Sequence, residues 1–251
     1  MSRTIGQLWR DAVTAGRTNP AYLVEGEDGW REVSWEEAGT AVDEIANGLL
    51  ARGIRKGDAF GILAQTSLEW ALFDYALARI GAVGAAIYAN SSPNDCKHVL
   101  ENSDSIGVLV EDEEQRAKVA ALGLAHVIAF SELDELRSQG REFAAANPTA
   151  LADAEAEIDD EDLFTFIYTS GTTGPPKGVE LTHANLLTAT ATIGAFNGIE
   201  LTAEGGGRVI CWLPLAHIAE RIASYYAAIA FGLEVTTCAD PRQVGAALRE
   251  V

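Results

Sequence analysis

Tyr168-Thr169-Ser170-Gly171-Thr172-Thr173-Gly174-Pro175-Pro176-Lys177-Gly178 is the stretch that decides the fold and the chemistry of this chain. The residues before it, Leu163-Phe164-Thr165-Phe166-Ile167, are apolar, β-branched or aromatic and predict a buried strand. After it come Val179-Glu180-Leu181 and then Thr182, an N-cap residue that opens a helical run from His183 to Phe196. Three glycines let the backbone turn sharply and bring N–H groups close to an anion. Thr169, Ser170, Thr172 and Thr173 add hydroxyl donors, and Lys177 adds a compact positive charge. Pro175 and Pro176 stiffen the loop. Such a set suits a polyphosphate. A Walker-type loop requires G-x-x-x-x-G-K-[ST]. Here Pro176 precedes the lysine and Gly178 follows it, so that motif is excluded on both sides.

Outward from the loop, strands and helices alternate. Ala21–Val24 and Trp30–Val33 flank Gly26-Glu27-Asp28-Gly29, a hairpin signal. Capping boxes at Ser34-Trp35-Glu36-Glu37 and Thr66-Ser67-Leu68-Glu69 open two helices, and Ser92-Pro93 opens a third. Strands are expected at Phe60–Ala64, Val83–Ala89, Ile106–Val110 and His126–Phe130. Helices are expected at Glu113–Leu122 and Leu133–Ala146. Beyond the loop, Val209–Leu213 and Leu233–Cys238 read as strands around an Ile218–Phe231 helix. The fold class is therefore α/β, in layers, with mostly parallel sheets flanked by helices. Residues 147–162 break the alternation. Seven acids crowd into positions 153–162, which predicts a solvated acidic linker. The expected organisation is a first α/β subdomain over 1–146, that linker, and a phosphate-loop segment over 163–251.

The 251 residues carry 18 Lys and Arg against 37 Asp and Glu, a net charge of −19. So acidic a surface opposes nucleic acid and anionic membranes, and it requires a local cation wherever an anionic substrate binds. Lys177 supplies one. Cys96, Cys211 and Cys238 are sparse, odd in number and without a C-x-x-C pair, which suggests a reducing compartment. The four histidines show no metal-ligand spacing. Met1-Ser2-Arg3-Thr4 lacks a signal-peptide core, and runs such as Ile222–Leu233 are too short to span a bilayer. The expected location is the cytoplasm, with at most transient peripheral membrane contact.

Tyr168–Gly178 resembles the phosphate-binding signature of the adenylate-forming, AMP-binding superfamily of acyl-CoA synthetases, aryl-CoA ligases, luciferases and peptide-synthetase adenylation domains. Trp212-Leu213-Pro214-Leu215-Ala216-His217-Ile218-Ala219-Glu220-Arg221 resembles the block after that loop in the long-chain fatty acyl-CoA synthetase branch. Ala76–Gly84 with Tyr88–Ser92 resembles the branch's early core block. The resemblance implies the N-terminal part of a large domain. It also implies a reaction in which ATP and a long-chain fatty acid give an acyl-adenylate, with Mg²⁺ bridging the phosphates, followed by transfer of the acyl group to coenzyme A.

Carried over residue by residue, Thr169, Ser170, Gly171, Thr172, Thr173, Gly174 and Lys177 would form the phosphate cradle. His217 matches the position beside the reacting carboxylate; a helix-capping or core histidine is the competing reading. Glu220 and Arg221 are expected to form a structural ion pair, and the apolar face of Ile222, Tyr225, Tyr226 and Ile229 to pack in the core. The family's later signatures and its C-terminal lid domain do not occur within residues 1–251. The chain alone is therefore expected to be inactive and prone to self-association through a truncated sheet edge. Another adenylating ligase, either an aryl-CoA ligase or a carrier-protein acylase, and a non-catalytic phosphate-binding module are the alternatives.

Overall fold

A computed structural model describes residues 4–26, 29–169, 176–197 and 206–250 of the chain. Helix α1 (Ile5–Thr14) starts at Thr4, whose side chain accepts from the Gln7 amide. The hairpin β1 (Tyr22–Gly26) and β2 (Gly29–Val33) follows as its turn signal predicts. Then come α2 (Trp35–Ala51), β3 (Ala59–Leu63), α3 (Leu68–Ile80), β4 (Val83–Ile87), α4 (Pro93–Asn102), β5 (Ser105–Val110), α5 (Glu113–Val119), β6 (His126–Ala129) and α6 (Leu133–Ala146). Ser34 caps α2, and Ser92 caps α4 in a full capping box with Asp95. At α3 the cap is Ser67, one residue later than the Thr66 box suggests. The Thr66 hydroxyl is taken instead by the Leu213 carbonyl, 2.7 Å away.

Strands β7 (Leu163–Thr169) and β8 (Lys177–Thr182) form an antiparallel hairpin. They join the others in a six-stranded sheet, order β6-β5-β3-β4-β7-β8, parallel except at the β7–β8 edge. A second sheet, β2-β1-β10-β9, pairs the N-terminal hairpin with β9 (Arg208–Cys211) and β10 (Glu234–Thr237). Here β1, β10 and β9 run parallel. Helix α8 (His183–Asn197) follows β8. Between β9 and β10 the chain forms one helical rod: α9 (Ile218–Glu220), a π-helical turn (Arg221–Tyr226) and α10 (Ala227–Phe231). Helix α11 (Val244–Glu250) ends the described chain. The architecture is the layered, mostly parallel α/β fold that the sequence predicts.

The larger core lies on one face of the six-stranded sheet, under α1, α2 and α3, and continues to the rod. Tyr75 stacks between Trp9 and Tyr225, with ring centroids 4.2 and 4.7 Å away. Tyr225, Tyr226 and Ile229 are buried there, so the apolar face of the rod is core, as expected. A smaller core under α4 and α5 covers the opposite face.

The acidic stretch is not a solvated loop. It contains α7 (Ala150–Ala156), whose Leu151 and Ala154 pack on the main core. Glu155 is buried and meets Arg10 Nη1 at 2.6 Å and Arg79 Nε at 3.0 Å, while Asp162 meets Lys56 at 2.6 Å. Counting local charge gives no sign of this, because the cations lie at least 76 positions earlier in the chain. Paired carboxylates can be buried where unpaired ones cannot. The strand beyond this stretch, β7, pairs with β4 in the same sheet as β3 and β5.

His183 closes the N-terminus onto the sheet. Its buried Nδ1 accepts from the Ile5 amide at 3.1 Å, and its ring packs on Phe164. Burial pushes its pKa down from 6.5 to about 4, against the opposing pull of Asp162 and Asp160 and with a small push from Lys56. The unfolded chain takes up this proton below pH 6.5, whereas the folded one resists until about pH 4. Stability contributed by neutral His183 is therefore complete above pH 6.5 and declines as pH falls through that window. The loss should reach about 2 kcal/mol by pH 5. Urea denaturation at pH 7 and pH 5 should show it as a drop larger in the native protein than in His183→Asn, whose amide oxygen can still accept from Ile5. Equal drops in the two proteins would show that His183 is not the group responsible.

Candidate functional site

The carboxyl ends of the parallel strands β4 and β7 open on a cleft of about 570 Å³. Crevices outside the carboxyl ends of parallel strands are the usual ligand sites of open α/β sheets. Ala86, Ile87, Tyr88 and Ser91 line it from β4 and the turn after it, and Asp95 and Val99 from α4. Ile167, Tyr168, Thr169 and Pro176 enter from the β7–β8 hairpin, and His217 and Ile218 from the start of the rod. The three sequence blocks singled out above thus meet at one place, although they are separated by up to about 130 residues.

Thr169 is the last residue of β7 and Lys177 the first of β8, and the two are register partners at the end of the hairpin. Both are exposed, and Lys177 pairs with no carboxylate among the described residues. An unpaired lysine on a chain of charge −19 is a local sink for an anion. Ser170, Gly171, Thr172, Thr173 and Gly174 lie outside the described residues. Gly178, opposite Tyr168 in the register, lies against the Tyr168 ring, and a Cβ there would sit 3.0 Å from Cζ. The glycine is needed for that close approach, not for an unusual φ.

His217 is the N-cap of α9, where its Nδ1 accepts from the Ala219 amide at 3.2 Å. It is exposed and lines the cleft, so its capping bond leaves the rest of the ring open to the cleft. An Nδ1 that accepts leaves the proton of the neutral ring on Nε2. The histidine therefore offers the cleft a donor.

Glu220 and Arg221 do not pair with each other. Buried Glu220 Oε1 accepts from the Trp212 amide at 2.9 Å and the Leu213 amide at 3.4 Å, bracing the chain that leads to His217. Arg221 points the other way, into the core. Its Nη2 meets Asp74 Oδ1 at 2.7 Å and its Nη1 meets the Thr165 hydroxyl at 2.8 Å. Thr165 donates in turn to the Gly84 carbonyl at 2.6 Å, and the Tyr226 hydroxyl donates to Asp74 Oδ2 at 2.8 Å. Trp70, Phe164 and Tyr226 present ring faces to the guanidinium. Burial pushes the Asp74 carboxyl up, and Arg221 and Tyr226 oppose it. Adjacent helical residues point in different directions, so the spacing of Glu220 and Arg221 could not make them partners.

No sequence pattern marks Asp74, Thr165 or His98. Their partners are 147, 56 and 78 residues away, and no local pattern encodes such pairings. Among the described residues no group of three or more His, Cys, Asp or Glu side chains could hold a metal ion, and no helix is long and apolar enough to cross a membrane.

The model of the family described as AMP-binding enzyme matches residues 9–250, and the chain belongs to that family. It is similar to the long-chain-fatty-acid–CoA ligase FadD15 of Mycobacterium bovis, 34% identical over 221 residues, covering 83% of this chain and 36% of that protein. It is similar also to the long-chain-fatty-acid–CoA ligase ACSBG1 of Rattus norvegicus, 28% identical over 255 residues, covering 95% of this chain and 35% of that one. The chain thus spans about a third of the length of these curated relatives. Among solved structures, the inhibitor-bound N-terminal domain of FACL13 from Mycobacterium tuberculosis matches with a TM-score of 0.83 at 23% identity, over 99% of this chain and 61% of that one. The Mycobacterium tuberculosis fatty acyl CoA synthetase matches with a TM-score of 0.76 at 22% identity, over 94% and 45%. These two likenesses bear on the fold alone.

Proposed function

We propose that this chain is part of a ligase that activates a long-chain fatty acid with ATP as the acyl-adenylate and then passes the acyl group to coenzyme A. The observation that carries the reading is the cleft on which the hairpin, the Leu213–Arg221 block and the end of β4 converge. The donor set fits an anionic, phosphate-bearing substrate: an exposed lysine without a carboxylate partner among the described residues, a hydroxyl opposite it, and a histidine whose free nitrogen donates.

In this reading Lys177 and Thr169, completed by Ser170, Gly171, Thr172, Thr173 and Gly174, hold the departing pyrophosphate and neutralise charge that grows as it leaves. His217 Nε2–H binds an oxygen of the reacting carboxylate and orients it. Glu220 keeps His217 in place through the Trp212 and Leu213 amides. Mg²⁺ bound with the nucleotide would supply further neutralisation of phosphate charge. The three cysteines are free and buried, which fits the cytoplasm. The acyl preference is tested by ATP–pyrophosphate exchange, measured on the complete polypeptide that carries this chain. Exchange should be faster with palmitate than with benzoate or coumarate. The reverse order would overturn the long-chain assignment, and exchange with no acid would remove the ligase reading altogether.

A further inference from the structure

Helix α4 grips both sides of the anion-binding hairpin. His98 Nε2 lies 2.7 Å from the Pro176 carbonyl, on the β8 side. One turn later, Asn102 Oδ1 accepts from the Tyr168 hydroxyl at 2.9 Å, on the β7 side. The His98 ring also stands edge-on to Tyr168, with centroids 6.3 Å apart and planes at 83°. Residues i and i+4 share a helix face, so a single face of α4 makes all three contacts. The helix itself is firmly placed: Ser92 and Asp95 cap it reciprocally, and Cys96, Val99 and Leu100 bury its other side in the smaller core.

A carbonyl only accepts, so His98 must donate through Nε2. Its grip on Pro176 therefore fixes the plane of the peptide joining Pro176 to Lys177. Across a trans peptide the C=O and N–H point in opposite directions. With the Pro176 carbonyl turned to α4, the Lys177 amide is turned away from it, and the start of the lysine side chain is set by the same plane. Nothing else on the described surface holds the Pro176 carbonyl. We propose that His98 is a positioning residue for Lys177, acting through the Pro176 carbonyl to hold the lysine ready for a polyphosphate. The inference deepens the reading of the hairpin as a phosphate site and rests on it for its catalytic consequence, but the grip itself can be tested without catalysis.

The first measurement is backbone hydrogen exchange on the 251-residue chain. His98→Ala should speed exchange at the amides of Lys177 and Gly178 about tenfold, the scale of one lost hydrogen bond, and leave Phe164–Ile167 unchanged. The second is pyrophosphate exchange on the complete polypeptide. His98→Ala should lower kcat about five- to tenfold while the KM for ATP rises by less than half as much, the same split as loss of the lysine itself, and His98→Gln, whose amide N–H can reach the same carbonyl, should restore kcat to within about twofold. Unchanged amide exchange at Lys177 and Gly178 would overturn the positioning role whatever the activity. Faster amide exchange in a protein that catalyses no pyrophosphate exchange would uphold the grip and remove the ligase reading. A kcat unmoved by alanine, or not recovered by glutamine, would overturn the proposed link to the lysine.

Discussion

Lys177→Ala should lower adenylation by about 10²- to 10³-fold in the complete polypeptide, the scale for removing one preorganised donor to developing charge. The chain is strongly acidic, and Lys177 is exposed at the end of the hairpin without a carboxylate partner among the described residues. Its field is therefore not already spent on a neighbour. Pyrophosphate gains charge as it leaves the α-phosphorus, so the lysine interacts more strongly with the transition state than with bound ATP. Much of the loss should then appear in kcat, with a smaller change in KM. Lys177→Arg keeps the charge but replaces a compact ammonium with a planar fork, and it should recover only part of the rate. Pyrophosphate exchange under saturating palmitate checks both variants. An unchanged rate in Lys177→Ala would mean that the lysine is solvated throughout and that backbone amides alone form the cradle.

Asp74→Ala should destabilise the protein by about 3–5 kcal/mol, the range for breaking a buried ion pair from one side. Asp74 and Arg221 are both fully buried. Removing the carboxylate leaves the guanidinium in the core with only the Thr165 hydroxyl and three ring faces, and it strands the Tyr226 hydroxyl. Such groups cannot recover water, and the cost is that of an uncompensated buried charge rather than the net worth of the pair. The double variant Asp74→Ala with Arg221→Met removes the charge as well and should regain much of the loss. Urea denaturation of the native protein, the single and the double variants measures this directly. A single variant that costs less than about 1 kcal/mol would show that water reaches Arg221 or that the core rearranges around it.

The order of strands and helices was readable because this chain marks its boundaries with short-range chemistry. Ser34, Ser92 and Asp112 sit at N-caps, and each bonds the amide three residues on. The hairpin signal at Gly26–Gly29 needs only its own neighbours. The acidic segment hides its structure for the opposite reason: Glu155 is explained by Arg10 and Arg79, which the sequence places far away. Thr66 shows a local rule losing to a distant one, since Leu213 claims the hydroxyl that a capping box would use. Of the candidate site residues, Thr169 and Lys177 stand out by residue type in a glycine-rich loop after a strand, and His217 only by the resemblance of the block that holds it. His98 does not stand out, because the carbonyl it binds is a backbone atom with no signature of its own.

The parallel pairing of β1 with β10 imposes an order on vectorial synthesis. Strands β3 to β6 lie within residues 59–129 and can assemble with their helices as soon as that stretch leaves the ribosome. The β1–β2 hairpin is made earlier but gains its sheet neighbour only when Glu234–Thr237 has emerged, and Arg17 and Ile229, which seal the same region, are 212 residues apart. The entropy of closing so long a loop grows only logarithmically with its length, so the arrangement costs little at equilibrium. Its consequence is temporal. Tyr22 is translated early, yet its strand partner Val235 emerges more than 200 residues later, which makes the hairpin the part of the nascent chain that waits longest for its sheet neighbour.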